Sequence, residues 1–501
     1  SMGADLADIN NDSYPDIFVT EMLPKDNERL KTVTTFENWN RYQYNIQNDY
    51  YHQFTRNTLQ LNNGDGSFSE IGRLAGVEAT DWSWGALMFD MDNDGLKDIF
   101  VANGIYQDLT NQDYLQYVSS EDVVENIMSG NRVDYKKLVE LIPSTPIPDF
   151  AFQNQGNLGF INKAKEWGLS APNFSNGSAY GDLDNDGDLD LVISAVNSVA
   201  SILKNESTRM LPENKYLKFE LSGLRGNTFA FGTKITIRHR GKIFYLEQMP
   251  IRGFESSMDP RPNVGLGKID TVEQILIQWP DGKVNLLLNT PTNQILKLDQ
   301  RKGVPLDSID SHTLEKNKDS SPIFREVESS PNFKHVENDF VDFDRDNLIY
   351  HMLSTEGPRM SVGDVNNDEL EDFYIGGAKD QASALFIQTK SGGFERSNEK
   401  LFEQDKASED LGSVFFDADG DGYQDLYVCS GGNEFSSSSF ALVDRLYMNK
   451  GDGTFARSRQ ILPVPTFEST STVSAADYDN DGDADLFVGT RLRTFLYGTP
   501  V

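Results

Sequence analysis

Cysteine is almost absent from this sequence: Cys429 is the single cysteine among 501 residues. A lone cysteine excludes an internal disulfide framework. Its apolar neighbours Leu426, Tyr427 and Val428 predict a thiol buried at the end of a strand. The sequence around it does not supply the base partner that a reactive thiol needs.

Long apolar runs and basic side chains are also scarce. No stretch approaches the roughly 18 consecutive apolar residues that a membrane-spanning helix requires. Lys and Arg number 45 against 78 Asp and Glu, which gives a net charge of −33. This charge argues against binding to nucleic acid or to an anionic membrane surface. The length predicts about three domains, at roughly 100–200 residues per domain.

The acidic residues are concentrated in a nine-residue pattern, D-x-[DN]-x-D-x-x-x-D, which occurs six times. Three strand-like apolar residues follow each copy, so each copy is predicted to be a loop between two short strands. We number these loops 1 to 6. Side chains at positions 1, 3, 5 and 9 and the carbonyl at position 7 can converge on one cation if the chain curls tightly. The predicted ligands at these positions are Asp8, Asn10, Asp12, Tyr14 and Asp16 in loop 1; Asp90, Asp92, Asp94, Leu96 and Asp98 in loop 2; Asp182, Asp184, Asp186, Asp188 and Asp190 in loop 3; Asp364, Asn366, Asp368, Leu370 and Asp372 in loop 4; Asp417, Asp419, Asp421, Tyr423 and Asp425 in loop 5; and Asp477, Asp479, Asp481, Asp483 and Asp485 in loop 6.

The ion that this donor set favours is Ca²⁺, because Mg²⁺ prefers fewer protein ligands and keeps its waters. An EF-hand would need a Glu at position 12, where these loops have Val or Ile. The alternative is a set of solvated acidic turns without metal, since Asp, Asn and Gly are ordinary turn formers. Six Ca²⁺ ions would reduce the net charge from −33 to −21.

The six loops are not equivalent. Loops 2, 3, 5 and 6 combine Asp at position 3 with Gly at position 6, and glycine permits the backbone turn. Loops 1 and 4 have Asn10 and Asn366 at position 3, and Ser13 and Glu369 at position 6. We therefore expect loops 1 and 4 to bind most weakly and loop 4 to be the candidate for an empty site.

A second repeated element predicts hairpins. Residues 59–68 match residues 446–455, and looser copies occupy 152–160 and 386–394. Asn-Gly and Asp-Gly between apolar runs are typical of tight β-hairpins. Each repeat is then strand, acidic loop, strand, connection, strand, hairpin, strand. Four antiparallel strands per repeat predict the blades of a β-propeller, so the expected fold class is dominated by β-structure.

The spacing of the loops divides the chain into segments. Bare repeats are 53 or 60 residues long, and larger gaps indicate insertions. The chain closes on Thr494 to Tyr497, which is typical of a strand cut short, so we expect an excerpt from a longer polypeptide. The predicted segments are partial propeller blades over 1–212 with insertions at 22–57 and 106–150, a small β-rich domain over 213–300, a linker over 301–322, and further partial blades over 323–501.

The insertions differ in character. Within 111–142, apolar residues recur at spacings of three and four, which predicts helix. The segment 22–57 is aromatic, and either it packs on the propeller or it stacks against a sugar or peptide. Ligand recognition predicts that at least two of Trp39, Tyr42, Tyr44, Tyr50 and Tyr51 are exposed and grouped. The aromatic residues are Phe36, Trp39, Tyr42, Tyr44, Tyr50, Tyr51 and Phe54.

The acidic loops and their strands resemble the FG-GAP/VCBS repeats of integrin-type β-propellers. Residues 213–300 resemble the ASPIC/UnbV domain through the segments 232–235, 253–256, 265–267 and 278–283. This domain order is similar to that of large secreted or surface proteins of Gram-negative bacteria and, more remotely, of cartilage acidic proteins. The resemblance implies calcium binding and an extracellular or bacterial outer-membrane location, with any signal or anchor outside this sequence.

Two functional hypotheses follow. The resemblance favours a non-catalytic binding or adhesion scaffold for a glycan, protein or peptide, as an accessory of an outer-membrane uptake system or transporter complex. The alternative is a propeller-type glycan hydrolase or lyase. The five histidines form no HExxH motif, and no G-x-S-x-G elbow is present. We therefore predict no catalytic residues, no cofactor other than Ca²⁺ and no nucleic-acid partner.

Overall fold

A computed structural model describes residues 2–33, 38–121, 123–124, 135–308, 331–346, 349, 351–462 and 467–495. The chain divides into two compact units, Ser1–Asn317 and Lys318–Val501. The boundary between the units falls inside the predicted linker, of which residues 309–322 lie outside the described residues. Unit 1 contains loops 1 to 3 and the predicted central domain, and unit 2 contains loops 4 to 6.

Six small antiparallel sheets carry the six acidic loops, and we number these repeat sheets 1 to 6. Sheets 1, 2, 4 and 5 have the four strands that the repeat predicts, whereas the described residues form three strands in sheet 3 and two in sheet 6. In order, the strands are Ala4–Ala7, Asp16–Val19, Thr58–Asn62 and Phe68–Glu70; Ser83–Phe89, Asp98–Asn103, Phe150–Asn154 and Phe160–Asn162; Ser175–Gly181, Asp190–Ala195 and Ser201–Leu203; Met360–Gly363, Asp372–Ile375, Ala384–Gln388 and Phe394–Ser397; Glu409–Phe416, Asp425–Gly431, Arg445–Asn449 and Phe455–Arg457; and Ser469–Ala476 and Asp485–Leu492.

Each acidic loop joins the first two strands of its sheet. The aspartate at position 9 opens the second strand and pairs with the last residue of the first, as in Ala7 opposite Asp16 and Phe416 opposite Asp425. The four predicted hairpins join the third and fourth strands of sheets 1, 2, 4 and 5. All six loops therefore occupy the same position in the repeat.

Successive repeat sheets pack face to face through apolar side chains. Leu59 of sheet 1 and Ile99 and Phe152 of sheet 2 share one buried cluster, and Tyr374 and Leu426 join sheets 4 and 5 in another. Full burial of one such side chain contributes about 1.5–3 kcal/mol. This packing holds the loops of neighbouring repeats side by side within each unit.

The central domain of unit 1 is a β-structure in which the packed core lies between two sheets. Its three-stranded sheet pairs Lys215–Ser222 with Gln294–Asp299 in parallel. Phe219, Ile275 and Trp279 are among the buried core side chains. In spatial order the sheets are Asn263–Gly267, Lys215–Ser222 and Gln294–Asp299; Lys242–Glu247, Lys234–His239, Thr271–Gln278, Lys283–Pro291 and Val304–Pro305; and the pair Ile251–Arg252 and Ser256–Ser257.

Helices are few and short among the described residues, and the expectation of a β-dominated fold is confirmed. Gln112–Val118 and Tyr135–Glu140 lie within the segment predicted to be helical, although residues 125–134 lie outside the described part. The other α-helices are Asn27–Val33, Trp39–Gln47, Gly72–Ala75, Ser207–Met210 and Glu399–Asp405, and 3₁₀-helices cover Gln300–Lys302, Leu306–Ser308, Asp342–Asp344 and Phe440–Leu442.

Three further expectations can be compared with these elements. None of the described helices has the length and apolar character needed to cross a membrane. The expected terminal strand at 494–497 is wrong at its start, because Thr494 and Phe495 form a turn after the strand Asp485–Leu492. Residues 496 and 497 lie outside the described residues. Cys429 is fully buried, as its neighbours predict, but it lies inside the strand Asp425–Gly431 rather than at its end, because the strand continues for two more residues.

Candidate metal centres in the acidic loops

The backbone of each loop curls because two of its residues adopt a positive φ. In loop 2 these are Asn93 at position 4 (φ 56°) and Gly95 at position 6 (φ 95°). Position 6 also has a positive φ in loops 1 and 4, where Ser13 and Glu369 occupy it (77° and 66°). Side chains other than glycine are disfavoured in this region, so loops 1 and 4 reach the same turn at a conformational cost.

Hydrogen bonds from the curled backbone fix the carboxylates of the loop. In loop 2, Asp90 at position 1 accepts the N–H groups of Asp94 (3.2 Å) and Gly95 (2.8 Å). Loops 1, 4, 5 and 6 repeat this pair of contacts. In all six loops the carboxylate at position 5 accepts the N–H of position 7, as Asp94 does from Leu96 (2.8 Å).

The aspartate at position 9 has a different role from the other carboxylates. In loop 2, Asp98 accepts the N–H of Met91 with one oxygen and the N–H of Asn154 with the other, both at 2.9 Å. The first contact occurs in all six loops, and the second in loops 1 to 5. Position 9 therefore ties the loop to its sheet through the backbone as well as standing beside the cation position.

Carboxylate oxygens of three aspartates converge within 4.8 Å of one another in loops 2, 3, 5 and 6. These are the loops that combine Asp at position 3 with Gly at position 6. In loops 1 and 4 an amide group intervenes, because Asn10 donates to Asp12 (2.8 Å) and Asn366 donates to Asp368 (3.2 Å). The convergent groups are Asp90, Asp92 and Asp94; Asp182, Asp184 and Asp190; Asp417, Asp419 and Asp425; and Asp477, Asp479 and Asp485.

Loop 2 is the most deeply buried of these clusters, since none of its three convergent aspartates is exposed, whereas Asp184 of loop 3 is. Burial and the neighbouring Asp94 raise the pKa of Asp90 to about 8. Burial and Asp92 raise the pKa of Asp94 to about 6. These carboxylates resist ionisation together, and a bound divalent cation reverses that effect because its charge favours the ionised form.

Two lysines lie against loop 3, and the spacing of residues in the sequence does not predict either of them. The ammonium of Lys218, in the strand Lys215–Ser222 of the central domain, is fully buried and lies 2.8 Å from Asp182. Lys204 lies against Asp184 and also 3.3 Å from Asp186. Loop 3 therefore has protein ammonium groups beside the carboxylates that were predicted to hold a cation.

The central domain packs directly on loops 2 and 3. Its Gly267 N–H donates to the carbonyl of Asn93 (3.0 Å), and the side chain of Asn214 donates to the carbonyl of Asp92 (2.8 Å). At Gly265, a Cβ atom would lie 1.9 Å from the Asp90 carboxylate. Glycine is thus required there for the backbone of the domain to approach the loop.

An asparagine at or just after the end of the third strand links loop 1 to loop 2, loop 2 to loop 3, and loop 4 to loop 5. The side-chain amide of Asn154 donates to the carbonyl of Ile9 in loop 1 (2.9 Å) and to that of Lys97 in loop 2 (3.0 Å). Asn205 joins loops 2 and 3 in the same way, and Asn449 joins loops 4 and 5. We call these three residues the bridging asparagines. The hairpin pattern alone does not predict this bridging role, although Asn-x-Gly recurs at 154–156 and 449–451 in the sequence.

The aromatic segment at 22–57 contains exposed rings. The helix Trp39–Gln47 buries no residue, and Tyr44, Tyr50 and Tyr51 are 62%, 59% and 75% exposed. Beside them, Tyr42 stacks on Phe54 with ring centroids 5.8 Å apart. The expectation of at least two exposed rings in this segment is met, while Phe36 lies outside the described residues.

Comparisons with known proteins address the family. The model of the FG-GAP-like repeat matches residues 47–101, 364–428 and 417–488, which include loops 2, 4, 5 and 6. The model of the ASPIC and UnbV domain matches residues 223–305.

Individual relatives are more distant. Cartilage acidic protein 1 of Xenopus tropicalis is 24% identical over 259 residues, which are 46% of this chain and 38% of that protein. The chain therefore spans well under half the length of this relative. The solved structure of Bacillus licheniformis rhamnogalacturonan lyase PL11 aligns with 99% of this chain and 56% of its own, at 12% identity and a TM-score of 0.18. The family models confirm the resemblance found in the sequence: the chain is a protein of FG-GAP-like repeats with an ASPIC and UnbV domain between them.

Proposed function

We propose that this chain is a calcium-binding extracellular or cell-surface protein that acts as a non-catalytic binding scaffold. The observation that carries the proposal is the convergence of carboxylate oxygens within 4.8 Å in several loops of one repeated geometry. Hard oxygen donors in this number suit Ca²⁺. Each loop also connects two paired strands, so a bound ion would stabilise that pair of strands and neutralise the negative charge of the loop.

The location follows from the affinity expected of such loops. Extracellular calcium modules bind with dissociation constants of about 10⁻⁴–10⁻³ M. Loops of that affinity would be filled by the calcium present outside cells and empty in the cytosol. The FG-GAP-like repeats are in keeping with this location.

Thermal melting of the full chain in calcium, in magnesium and in a chelator tests the calcium proposal. Ca²⁺ at a hundredfold excess over the dissociation constant stabilises the native state by about 2.7 kcal/mol per site. Asp419→Asn in loop 5 should reduce the calcium-induced rise in Tm, whereas Asp339→Asn, at an exposed residue outside the loops, should not. The same Tm in all three solutions would mean that the loops are acidic turns only.

For the ligand, we propose the aromatic face formed by the helix Trp39–Gln47 and the exposed Tyr50 and Tyr51. Exposed tyrosines beside amide side chains offer flat apolar surface and hydrogen-bonding groups, which suit a sugar ring or an extended peptide. A glycan and peptide array probed with the full chain should give hits that are lost in the double variant Tyr50→Ala/Tyr51→Ala. Phe440→Ala, which removes an 82% exposed ring in unit 2, is the matched control.

The non-catalytic role is tested on the same hits. Each bound glycan or peptide is incubated with the chain in calcium and analysed for cleavage products, and turnover would replace the scaffold proposal with an enzyme. The domain order favours an outer-membrane transporter complex as the partner that receives the captured ligand. Co-purification from an outer-membrane extract, compared between the chain and the Tyr50→Ala/Tyr51→Ala variant, tests that partner separately from the ligand.

A further inference from the structure

Unit 2 contains a group of glutamates that belongs to none of the six loops. Glu409 begins the strand Glu409–Phe416, and Glu434 follows the strand Asp425–Gly431. Loop 5 joins these two strands at their other ends. The two glutamates therefore lie at the end of sheet 5 that is opposite to its acidic loop, where Glu337 of the segment 331–346 approaches them.

The carboxylate of Glu409 is buried without a hydrogen-bond donor. The residue is 1% exposed, and neither of its carboxylate oxygens has a hydrogen-bond partner in the described part of the chain. The Oε2 atoms of Glu434 and Glu337 are also buried and have no hydrogen-bond partner among the described residues. Burial of an ionised carboxylate without a partner costs several kcal/mol of folding free energy. A group of three such carboxylates therefore needs a bound cation or a proton to offset its charge.

The glutamates converge around Gly432. A Cβ atom on this residue (φ +89°) would lie 2.3 Å from Oε2 of Glu409 and 2.5 Å from Oε2 of Glu434. The absence of a side chain at Gly432 thus leaves room for two carboxylates to face each other against the backbone. Any larger residue would separate them and would also be strained at this φ.

The other carboxylate oxygens of Glu434 and Glu337, the Oε1 atoms, already have hydrogen-bond partners. Asn338 donates its amide to Oε1 of Glu434 (2.8 Å), and Oε1 of Glu337 is hydrogen-bonded to Nε2 of His335 (2.8 Å). Each of these contacts holds one oxygen of its glutamate, and the other oxygen, Oε2, is buried without a hydrogen-bond partner among the described residues. The orientation of each side chain is thus fixed from outside the group.

Among the described residues, no ion pair joins a protein cation to Glu409, although the ammonium of Lys379 partly offsets the rise in the pKa of Glu434. The guanidinium of Arg445 pairs with Asp410, the residue after Glu409. The ammonium of Lys379 lies 3.6 Å from Asp380. Burial, followed by the neighbouring carboxylate of Glu434, raises the pKa of Glu409. The ionised form of Glu409 is therefore disfavoured unless a cation or a shared proton lies within the group.

We propose that Glu409 and Glu434, with the carboxylate of Glu337 nearby, form a divalent-cation site at the end of sheet 5 that is remote from the acidic loops. The donors are carboxylate oxygens, which is the chemistry of Ca²⁺ rather than of Zn²⁺ or copper. The site needs no contribution from loops 1 to 6. The competing arrangement is a single proton shared between Glu409 and Glu434, with no metal.

The test counts Ca²⁺ bound by the full chain at saturation, using equilibrium dialysis with radioactive calcium. The double variant Glu409→Gln/Glu434→Gln should bind one ion fewer than the unaltered chain. The matched variant Asp419→Asn/Asp421→Asn should also lose one ion, from loop 5, and combining both pairs should remove two. If the unaltered chain bound one ion and the glutamate variant bound none, the calcium proposal for the loops would fail while this site stood.

An unchanged ion count in the folded glutamate variant would overturn the site in favour of the shared proton. Because removal of buried carboxylates can disturb folding, the unaltered chain gives a second measurement. Crystals grown with Tb³⁺ should show an anomalous scattering peak between Glu409 and Glu434. No peak there, with peaks in the loops, would equally overturn the proposal.

Discussion

The buried ion pair between Lys218 and Asp182 allows a direct test of what neutralises loop 3. The substitution Lys218→Met keeps a long unbranched side chain and removes the ammonium. It leaves Asp182 buried beside the central domain, with one carboxylate oxygen already lacking a hydrogen-bond partner in the described residues. The expected result is a large loss of stability in chelator and a partial recovery in calcium.

The magnitude follows from burial. Removal of one partner of a buried ion pair costs about 3–5 kcal/mol. Unit 1 spans 317 residues, and an unfolding entropy of about 2.1 cal/mol/K per residue makes each 1 kcal/mol worth about 1.5 °C. The Tm of unit 1 should therefore fall by about 5–8 °C in chelator. Ca²⁺ at a hundredfold excess over the dissociation constant should restore about 2.7 kcal/mol, or about 4 °C, by replacing the missing charge.

Differential scanning calorimetry in chelator and in calcium measures both effects on the full chain. Lys204→Met is the control, because that lysine pairs with the same loop from a half-exposed position, where an ion pair contributes about 0–1 kcal/mol. The double variant Lys218→Met/Asp182→Asn should recover most of the stability in chelator, since it removes both buried charges.

Two results would refute the reasoning. A loss for Lys218→Met no larger than that for Lys204→Met would mean that the buried pair does not neutralise the loop. A large loss with no additional calcium-induced rise in Tm, relative to the unaltered chain, would mean that the ammonium does not stand in a cation position. In the second case loop 3 would be a salt-bridged turn rather than a metal loop filled by lysine.

Three further predictions concern other buried groups. Asp425→Asn should lower Tm in chelator by an amount equivalent to about 1–3 kcal/mol, because both carboxylate oxygens accept backbone N–H groups; an effect seen only in calcium would contradict this. Burial raises the pKa of Asp149 to about 7, from 3.8, so the folded state retains a proton that the unfolded state has lost, and stability should decline as pH rises from about 4 to about 7. Melting of Asp149→Asn across this range in chelator should show a shallower decline, and an unchanged slope would count against the assignment. Burial raises the pKa of the Cys429 thiol to about 12, so a chromogenic disulfide reagent should react with it in urea and not in the native state; rapid native reaction would disprove its burial.

Much of the repeat could be predicted because its determinants are local. The alternation of carboxylates over five residues, a glycine at position 6 and apolar triplets on either side specify a turn between two strands without reference to the rest of the chain. The same is true of the hairpins, whose Asn-Gly and Asp-Gly pairs fix the backbone by themselves. These signals are found in the structure at the positions where the sequence places them.

The groups that sequence reasoning missed depend on contacts between distant segments. Lys218 meets Asp182 from 36 residues away, in a different domain. Asn154 reaches Ile9 across 145 residues. Glu409, Glu434 and Glu337 are brought together by the packing of two strands and an irregular segment. No spacing rule connects such residues, because the spatial arrangement of the sheets decides which side chains meet.

The bridging asparagines couple the binding of Ca²⁺ in one loop to its binding in the adjacent loop. Each asparagine holds a carbonyl from one loop and a carbonyl from the next, so an ion that orders one loop also fixes an anchor of its neighbour. The first bound ion orders the shared asparagine, so the second ion does not have to pay that entropy cost. The affinity of a loop for Ca²⁺ therefore rises when the adjacent loop is occupied. Calcium uptake should consequently be cooperative within loops 1 to 3 and within loops 4 and 5, with a Hill coefficient above one. These loops would respond to calcium over a narrow concentration interval rather than in independent steps.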